Sequence, residues 1–329
     1  MKGSHALTVQ SPYLKYEMEF HRNLTILQGD SATGKTTLVE MLQEFILNGS
    51  DTGIIVQCDC PCRVLNGNTW KEQLSHMREC IVFIDEGNRF VASEEFARAV
   101  RGSDNYYVIV TREGLPNLPY SVTEIYGIRS SGKYGMIVPV SHHMYRIYGE
   151  YSLQRKDKYS SVIVEDSNSW YDFFSELFKG TEVDCTSAQG AANIFNQLQM
   201  VDQDQGLIVI ADGAAFGSQM GRIYKLMNQK QHIQLFLPES FEWLILSSDV
   251  LGDAEIRRIL DAPEQYIDSR DYYSWERYFT YLLADRTRGT FMQYSKTKLN
   301  PVFLQGKYYQ KLLRVLPPLL QKMAGIHTS

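Results

Sequence analysis

Short apolar runs, separated by polar or glycine-rich stretches, recur along the first 150 residues. Ala6–Gln10 and Leu14–Phe20 alternate apolar and polar positions around a Ser-Pro turn, which predicts a β-hairpin at a domain edge. Leu24–Leu27 predicts another strand, and Leu38, Met41, Leu42 and Phe45 then recur at helical spacing. Residues 49–53 break that helix, Gly53–Cys58 resumes as a strand, and Trp70–Arg78 reads as a helix. The unbroken apolar runs at Ile81–Ile84 and Tyr106–Val110 predict strands buried on both faces of a parallel sheet. Glu94–Val100 between them is a predicted helix.

The alternation restarts after residue 150. Strands are expected at Ser161–Val164, from Val183 to Gln189, at Gly206–Ile210 and at Ile233–Leu237. Helices are expected at Ser169–Phe178, Ala191–Met200 and Arg222–Asn228. Strands alternating with helices imply right-handed βαβ units and a second parallel sheet. From Gly252 the pattern is helical and aromatic, with Tyr272, Tyr273, Trp275, Tyr278, Phe279 and Leu282 as an expected packing face. The expected fold class is therefore α/β. Its parts are a nucleotide-type domain over 1–150, a second α/β domain over 151–250 and a helical, aromatic and basic tail over 251–329.

Composition narrows the function classes. The chain has 329 residues, of which 44% are hydrophobic and 22% charged, as in ordinary soluble globular proteins. A net charge of −5 gives no global argument for nucleic-acid binding, so such a role has to rest on a local patch. No apolar run reaches a membrane span and the N-terminus lacks a signal-peptide core, so no membrane partner and a cytoplasmic location are expected. Five cysteines, an odd number, do not suggest a disulfide framework. Three of them, in Cys58-Asp59-Cys60-Pro61-Cys62, read as a reduced turn between strands. The sharper reading, zinc, needs a fourth ligand from His76, Cys80 or elsewhere, and the spacing matches no common four-ligand pattern.

The densest chemistry lies between the third strand and its helix. Gly29-Asp30-Ser31-Ala32-Thr33-Gly34-Lys35-Thr36-Thr37 contains G-x-x-x-x-G-K-T. Glycines let successive N–H groups converge on a phosphate, and the helix N-terminus adds positive potential. Lys35 is placed to reach the β- and γ-phosphates, and the Thr36 hydroxyl to hold Mg2+. Asp85, at the end of a buried strand, is expected to support that metal, with Glu86 orienting or deprotonating the attacking water. Thr111 is a candidate γ-phosphate sensor. Arg112, and Arg129 in an expected loop over 127–133, are candidates for stabilising transferred phosphoryl charge, or else surface ion-pair partners.

Residues 22–112 resemble P-loop NTPases of the class whose catalytic Glu follows the Walker B Asp. Gly29–Thr36 matches the Walker A motif and Ile81–Glu86 the Walker B motif. The resemblance implies a parallel sheet wrapped by helices and Mg2+-dependent binding of ATP, with hydrolysis. An L-S-G-G-Q signature is not seen, the domain is short, and N-K-x-D is missing, which favours ATP over GTP. The run from Met1 through Gly149 also resembles a group of bacterial ATP-binding proteins that share the segments QGDSATGKTTL and FIDEGNRF.

Acids recur at strand ends in the second half: Glu165, Asp166, Asp212, and then Glu239 and Glu242. Converging carboxylates are usually resolved by a divalent cation, and metal-assisted phosphodiester chemistry is one use of such a site. The simpler reading is that these acids cap helix N-termini. Residues 160–245 resemble a TOPRIM domain, the fold of topoisomerases, primases and OLD-type nucleases, which implies metal ligands at Glu165 and Asp212. A second Asp of that motif is replaced by Ala214. From Arg286 onward eight Lys or Arg occur with no Asp or Glu, interleaved with Tyr294, Tyr308 and Tyr309. This is either a nucleic-acid strip or a face that docks on the acidic first half of the chain or on a partner. The expected function is an ATPase switch controlling a second domain that acts on nucleic acid, as in the mobile-element and phage-defence proteins this arrangement resembles. The alternative is a nucleotide-gated module, a homo-oligomer or a protein recruiter, with little hydrolysis.

Overall fold

A computed structural model describes residues 1–29, 33–131, 139–149, 159–201, 206–230 and 232–326. The chain is mixed α/β and divides into two compact units, Met1–Gly149 with Ala262–Ser274, and Glu150–Asp261 with Trp275–Ser329.

The first unit carries nine strands: β1 (His5–Gln10), β2 (Leu14–Phe20), β3 (Leu24–Leu27), β4 (Ile55–Cys58), β5 (Cys62–Val64), β6 (Ile81–Ile84), β7 (Tyr106–Val110), β8 (Ile125–Ser131) and β9 (Val140–Arg146). They form one sheet in the order β4-β1-β2-β9-β8-β3-β7-β6-β5. From β8 to β5 all neighbours are parallel. The β1–β2 hairpin is antiparallel but is not at the sheet edge as expected, because β4 pairs with β1 and β9 with β2. Its polar alternation resembles that of an edge hairpin, and strand β9, its parallel partner, gives no comparable apolar run.

β4 and β5 occupy opposite ends of this sheet, yet only residues 59–61 join them. Four peptide steps from Cys58 to Cys62 span at most about 14 Å, so the sheet must curl until its two edges meet. Helix α1 (Lys35–Asn48) fills the concave side. Its Leu38, Val39, Met41 and Leu42 share one core with Leu7 and Val9 of β1, Tyr16, Met18 and Phe20 of β2, Phe83 of β6, and Tyr106 and Val108 of β7. The opposite face, reached by the alternate residue Tyr107, is covered by aromatics. Phe96 of α3 (Glu94–Val100; α2 is Trp70–Ser75) packs edge-on against Tyr107 and against Trp70.

Ala262–Ser274 lies against this unit as a strap. The Met1 amino group binds Asp268 at 2.8 Å, Gly3 N–H donates to the Glu264 carbonyl, Asn23 donates to the Tyr273 carbonyl, and Arg270 pairs with Asp104.

The second unit has four parallel strands, β10 (Tyr159–Val164), β11 (Asp184–Ser187), β12 (Gly206–Ile210) and β13 (Ile233–Phe236), in the order β11-β10-β12-β13. Helices α4 (Ser169–Leu177), α5 (Ala191–Met200) and α6 (Gly217–Gln229) connect them. They are followed by α7 (Phe241–Ser247), α8 (Ala254–Asp261), α9 (Trp275–Thr287), α10 (Gly306–Val315) and α11 (Pro318–Met323). The packing face expected from Tyr272 onward starts later, because α9 begins at Trp275 and buries Trp275, Tyr278, Phe279, Leu282 and Leu283. Tyr273 is buried too, but in the strap of the first unit.

Candidate functional site

The end of β3 and the start of α1 position the glycine-bounded segment expected to cradle phosphate. Gly29 and Gly34 have φ of +120° and +88°, conformations that side chains with a Cβ rarely adopt. At Gly34 space is closed as well, since a Cβ there would lie 2.7 Å from the Tyr16 hydroxyl. That hydroxyl donates to the Gly34 carbonyl at 3.0 Å, and the Tyr16 ring stacks on His142 at 4.5 Å. Burial lowers the His142 pKa, favouring the neutral ring. Tyr16 and His142 therefore pack under Gly34. Neither was visible as a site residue in the sequence, because both come from strands whose place in the sheet the pattern did not reveal. Asp30, Ser31 and Ala32 lie outside the described residues.

Among the described residues, helix α1 starts with no acidic residue in its first turn and no side-chain cap hydrogen bond from Gly34, and the positive end of such a helix suits an anion. Lys35 is buried, with Nζ donating to the Gly29 carbonyl at 3.1 Å and to Thr33 Oγ1 at 2.6 Å. The ammonium is thus held at the mouth of the loop. Thr36 is exposed, and its hydroxyl donates to Asp85 Oδ1 at 3.3 Å. Thr37 follows on α1 and is half-buried.

β7 lies between β3 and β6, so Asp85 reaches Thr36 across an intervening strand. Asn88 donates to the Asp85 carbonyl at 2.9 Å and holds the turn after β6. Glu86 faces Arg112, whose Nε is 2.7 Å from Glu86 Oε1. Thr111 N–H bonds to the Leu27 carbonyl, which brings the end of β7 beside the end of β3. The Thr111 hydroxyl donates to the Glu113 carbonyl at 3.1 Å. Arg129 lies on strand β8 and not in the expected loop, with its guanidinium 5.9 Å from the Tyr145 ring centre. The neighbouring residues 132 and 133 are outside the described residues.

These groups fit Mg-nucleotide chemically. A hydroxyl and a carboxylate within 3.3 Å of each other offer hard oxygen ligands, and an ammonium and an uncapped helix start offer positive potential to phosphate.

In the second unit, Glu165 and Asp212 do meet. The Asp212 backbone N–H donates to Glu165 Oε2 at 3.0 Å, and Trp170 Nε1 donates to Asp212 Oδ1 at 2.8 Å. Tyr294 donates to Glu242 Oε1 at 2.8 Å. Burial pushes the Glu165 pKa up to about 7, helped by the charges of Glu276 and Asp166 and opposed by the Asp212 N–H and by Lys296. Burial also raises Asp212, with Glu276, Glu165 and Glu242 adding to it. Lys296 ion-pairs with Glu276. Burial alone would lower its pKa, but the carboxylates of Glu276, Glu242 and Asp212 outweigh that and hold the ammonium charged. Lys296 belongs to the basic strip in sequence, and in the fold it is a counter-ion to the acids.

Other cations of that strip are also engaged by acids. Arg286 pairs with Asp253 and Glu255, Arg288 with Asp285, and Lys311 with Asp249. Lys307 lies over the Tyr308 ring. The strip therefore carries less net positive potential than its sequence implies. Among the described residues, no helix is long and apolar enough to cross a membrane.

Compared with known proteins, the chain matches no protein-family model and no curated protein.

Proposed function

We propose that the first unit binds Mg-ATP and hydrolyses it as a switch. The observation that carries this is the approach of Thr36 Oγ1 to Asp85 Oδ1 beside the buried ammonium of Lys35. In this reading the Gly29–Thr37 segment cradles the phosphates and Lys35 contacts the β- and γ-oxygens. Thr36 and Asp85 would hold the magnesium, whose role is to neutralise charge on the phosphate oxygens. Glu86 orients or deprotonates the attacking water, Thr111 reads the end of the phosphate chain, and Arg112 meets the transferred charge. The second unit carries the output, proposed to act on nucleic acid with or without metal at Glu165 and Asp212. The likeness to mobile-element and phage-defence proteins is one of architecture.

The Arg112–Glu86 pair favours a second reading, in which ATP is bound but scarcely turned over and the chain recruits a partner or a second copy of itself. A carboxylate oxygen already engaged by a guanidinium is less free to accept a hydrogen bond from an attacking water, so the contact restrains Glu86 as a base. One experiment separates the two. ATP binding and hydrolysis are measured with Mg2+, with and without DNA or RNA, for the wild type and Lys35→Ala. Turnover that rises with nucleic acid and disappears in Lys35→Ala supports the switch. Tight binding with negligible turnover under every condition leaves the nucleotide-gated module, and no ATP binding at all removes both.

A further inference from the structure

The seam where the first unit's sheet closes on itself carries its own chemistry. The short link from β4 to β5 is Cys58-Asp59-Cys60-Pro61-Cys62, and it packs beside the start of β1. The β1–β4 register pairs Leu7 with Cys58. Continued two residues outward, it sets His5 opposite Cys60, on the face that Leu7 and Cys58 share.

The side chains converge accordingly. Cys58 and Cys60 Sγ atoms are 3.7 Å apart, within hydrogen-bond contact, and Cys62 follows two residues on at the start of β5. His5 Nδ1 lies 2.9 Å from Asp59 Oδ2, and ligand atoms of His5, Asp59 and Cys60 all fall within 4.8 Å of one another. All three cysteines line a cavity of about 340 Å3 walled by Leu42, Phe45 and Ile46 of α1. A small ion therefore has a path to the sulfurs.

The spacing has a chemical meaning. Two sulfurs bound at about 2.3 Å to a tetrahedral zinc lie about 3.8 Å apart, close to the distance seen here. A disulfide needs about 2.05 Å. Soft thiolates with one imidazole select zinc-class cations over magnesium or calcium. The carboxylate beside a ligating histidine is the usual outer partner that orients the ring.

We propose that Cys58, Cys60 and Cys62, with His5 as the fourth ligand and Asp59 as its orienting carboxylate, form a structural site for a thiophilic divalent cation of the zinc class. The site ties β1 to the β4–β5 link and holds the curled sheet closed around α1. The fourth ligand comes from the first strand, 53 positions before Cys58, which is why the spacing within the cysteine cluster alone fits no common pattern.

The test uses the full chain, reduced and stripped of metal, then titrated with Co2+ and Zn2+. One cobalt per chain with the absorption of a tetrahedral sulfur-rich centre, displaced by zinc, is expected. Zinc is also expected to raise the melting temperature, since a ligand bound only by the folded state stabilises it. Cys60→Ser should abolish the cobalt spectrum, His5→Ala should alter it, and Asp59→Ala, which removes the orienting carboxylate, should weaken binding about 10- to 100-fold. Cys185→Ser should leave it unchanged. If a seam variant does not fold, the wild-type titration alone decides. Failure of the wild type to bind cobalt or zinc while all five thiols stay reduced overturns the site, as does a cobalt spectrum unchanged in Cys60→Ser. A Mg-nucleotide site at Thr36 and Asp85 offers no sulfur, so loss of ATP binding would leave this result untouched.

Discussion

Arg112 and Glu86 form a direct ion pair, with Nε to Oε1 at 2.7 Å, on a surface where the two side chains are 57% and 39% exposed. Exposed pairs of this kind contribute about 0–1 kcal/mol, so the contact is easily exchanged when phosphate enters the site. It can therefore restrain the proposed base without locking it. Glu86→Gln should retain ATP binding while turnover falls by about 100-fold or more. Arg112→Gln, which removes the group proposed to meet the transferred charge, should leave ATP affinity nearly unchanged and lower turnover. Steady-state hydrolysis beside equilibrium binding checks both. A rise in turnover for Arg112→Gln, of up to about fivefold as the equivalent of the lost pair, would assign the guanidinium to restraint of Glu86 and not to phosphoryl charge.

A second pair of variants isolates the packing under Gly34. Gly34 has φ of +88° and its missing Cβ would meet the Tyr16 hydroxyl at 2.7 Å, whereas Gly67 has φ of +71° in open space. Each alanine carries the left-handed backbone cost of about 1–2 kcal/mol, but only Gly34→Ala must also displace Tyr16. Chemical denaturation should find Gly34→Ala the more destabilised, and ATP binding should be lost there and kept in Gly67→Ala. Tyr16→Phe, which removes the bond to the Gly34 carbonyl, should cost about 1 kcal/mol.

Much of this site was legible because its signals are local. Gly29, Gly34, Lys35 and Thr36 sit in one contiguous stretch, and the apolar runs before Asp85 and Thr111 mark strands buried on both faces. Tyr16, His142 and His5 were not legible, since each matters only through the closing of a nine-stranded sheet that no local periodicity encodes. The strap at Ala262–Ser274 was missed for a similar reason: its contacts are single hydrogen bonds and ion pairs to residues at least 160 positions away. The pairing of Lys296 with Glu276 was not legible either, because composition counts a lysine as solvent-facing charge unless a partner is known.

Glu165 sets a pH dependence whose sign is opposite to the usual carboxylate case. Its folded pKa is about 7, against 4.5 ordinarily, so the folded state holds the proton that the unfolded chain has already released. The contribution to stability is therefore complete below pH 4.5 and is lost as pH rises through 7. The raised Asp212 acts in the same direction. The charges of Asp166 and Glu276 beside Glu165, and of Glu276 and Glu242 beside Asp212, add repulsion, while Lys296 opposes it. In metal-free buffer the second unit should lose on the order of 3 kcal/mol between pH 4.5 and 7 from Glu165. Thermal unfolding followed across that range should show a shallower slope in Glu165→Gln. An unchanged slope would mean that Glu165 is ionised in the folded chain.

Lys296 supplies the complementary test, because it pairs with Glu276 within reach of Glu242 and Asp212. Removing one partner from a buried charge cluster costs about 3–5 kcal/mol. The Lys296 side chain is about one-third exposed, so screening by water reduces that figure, and about 2 kcal/mol is expected for Lys296→Met. The loss should be greater at pH 8 than at pH 5, since more of the surrounding carboxylates are then charged. Glu276→Gln in the same chain should recover part of it, giving a coupling energy of about 1 kcal/mol in a double-mutant cycle. If Lys296 instead served mainly as a contact for a polyanion, Lys296→Met would leave stability and its pH dependence unchanged while nucleic-acid binding weakened with a smaller salt slope. Unfolding of the four variants of the cycle at both pH values, beside a DNA titration at two salt concentrations, assigns the lysine to one role or the other.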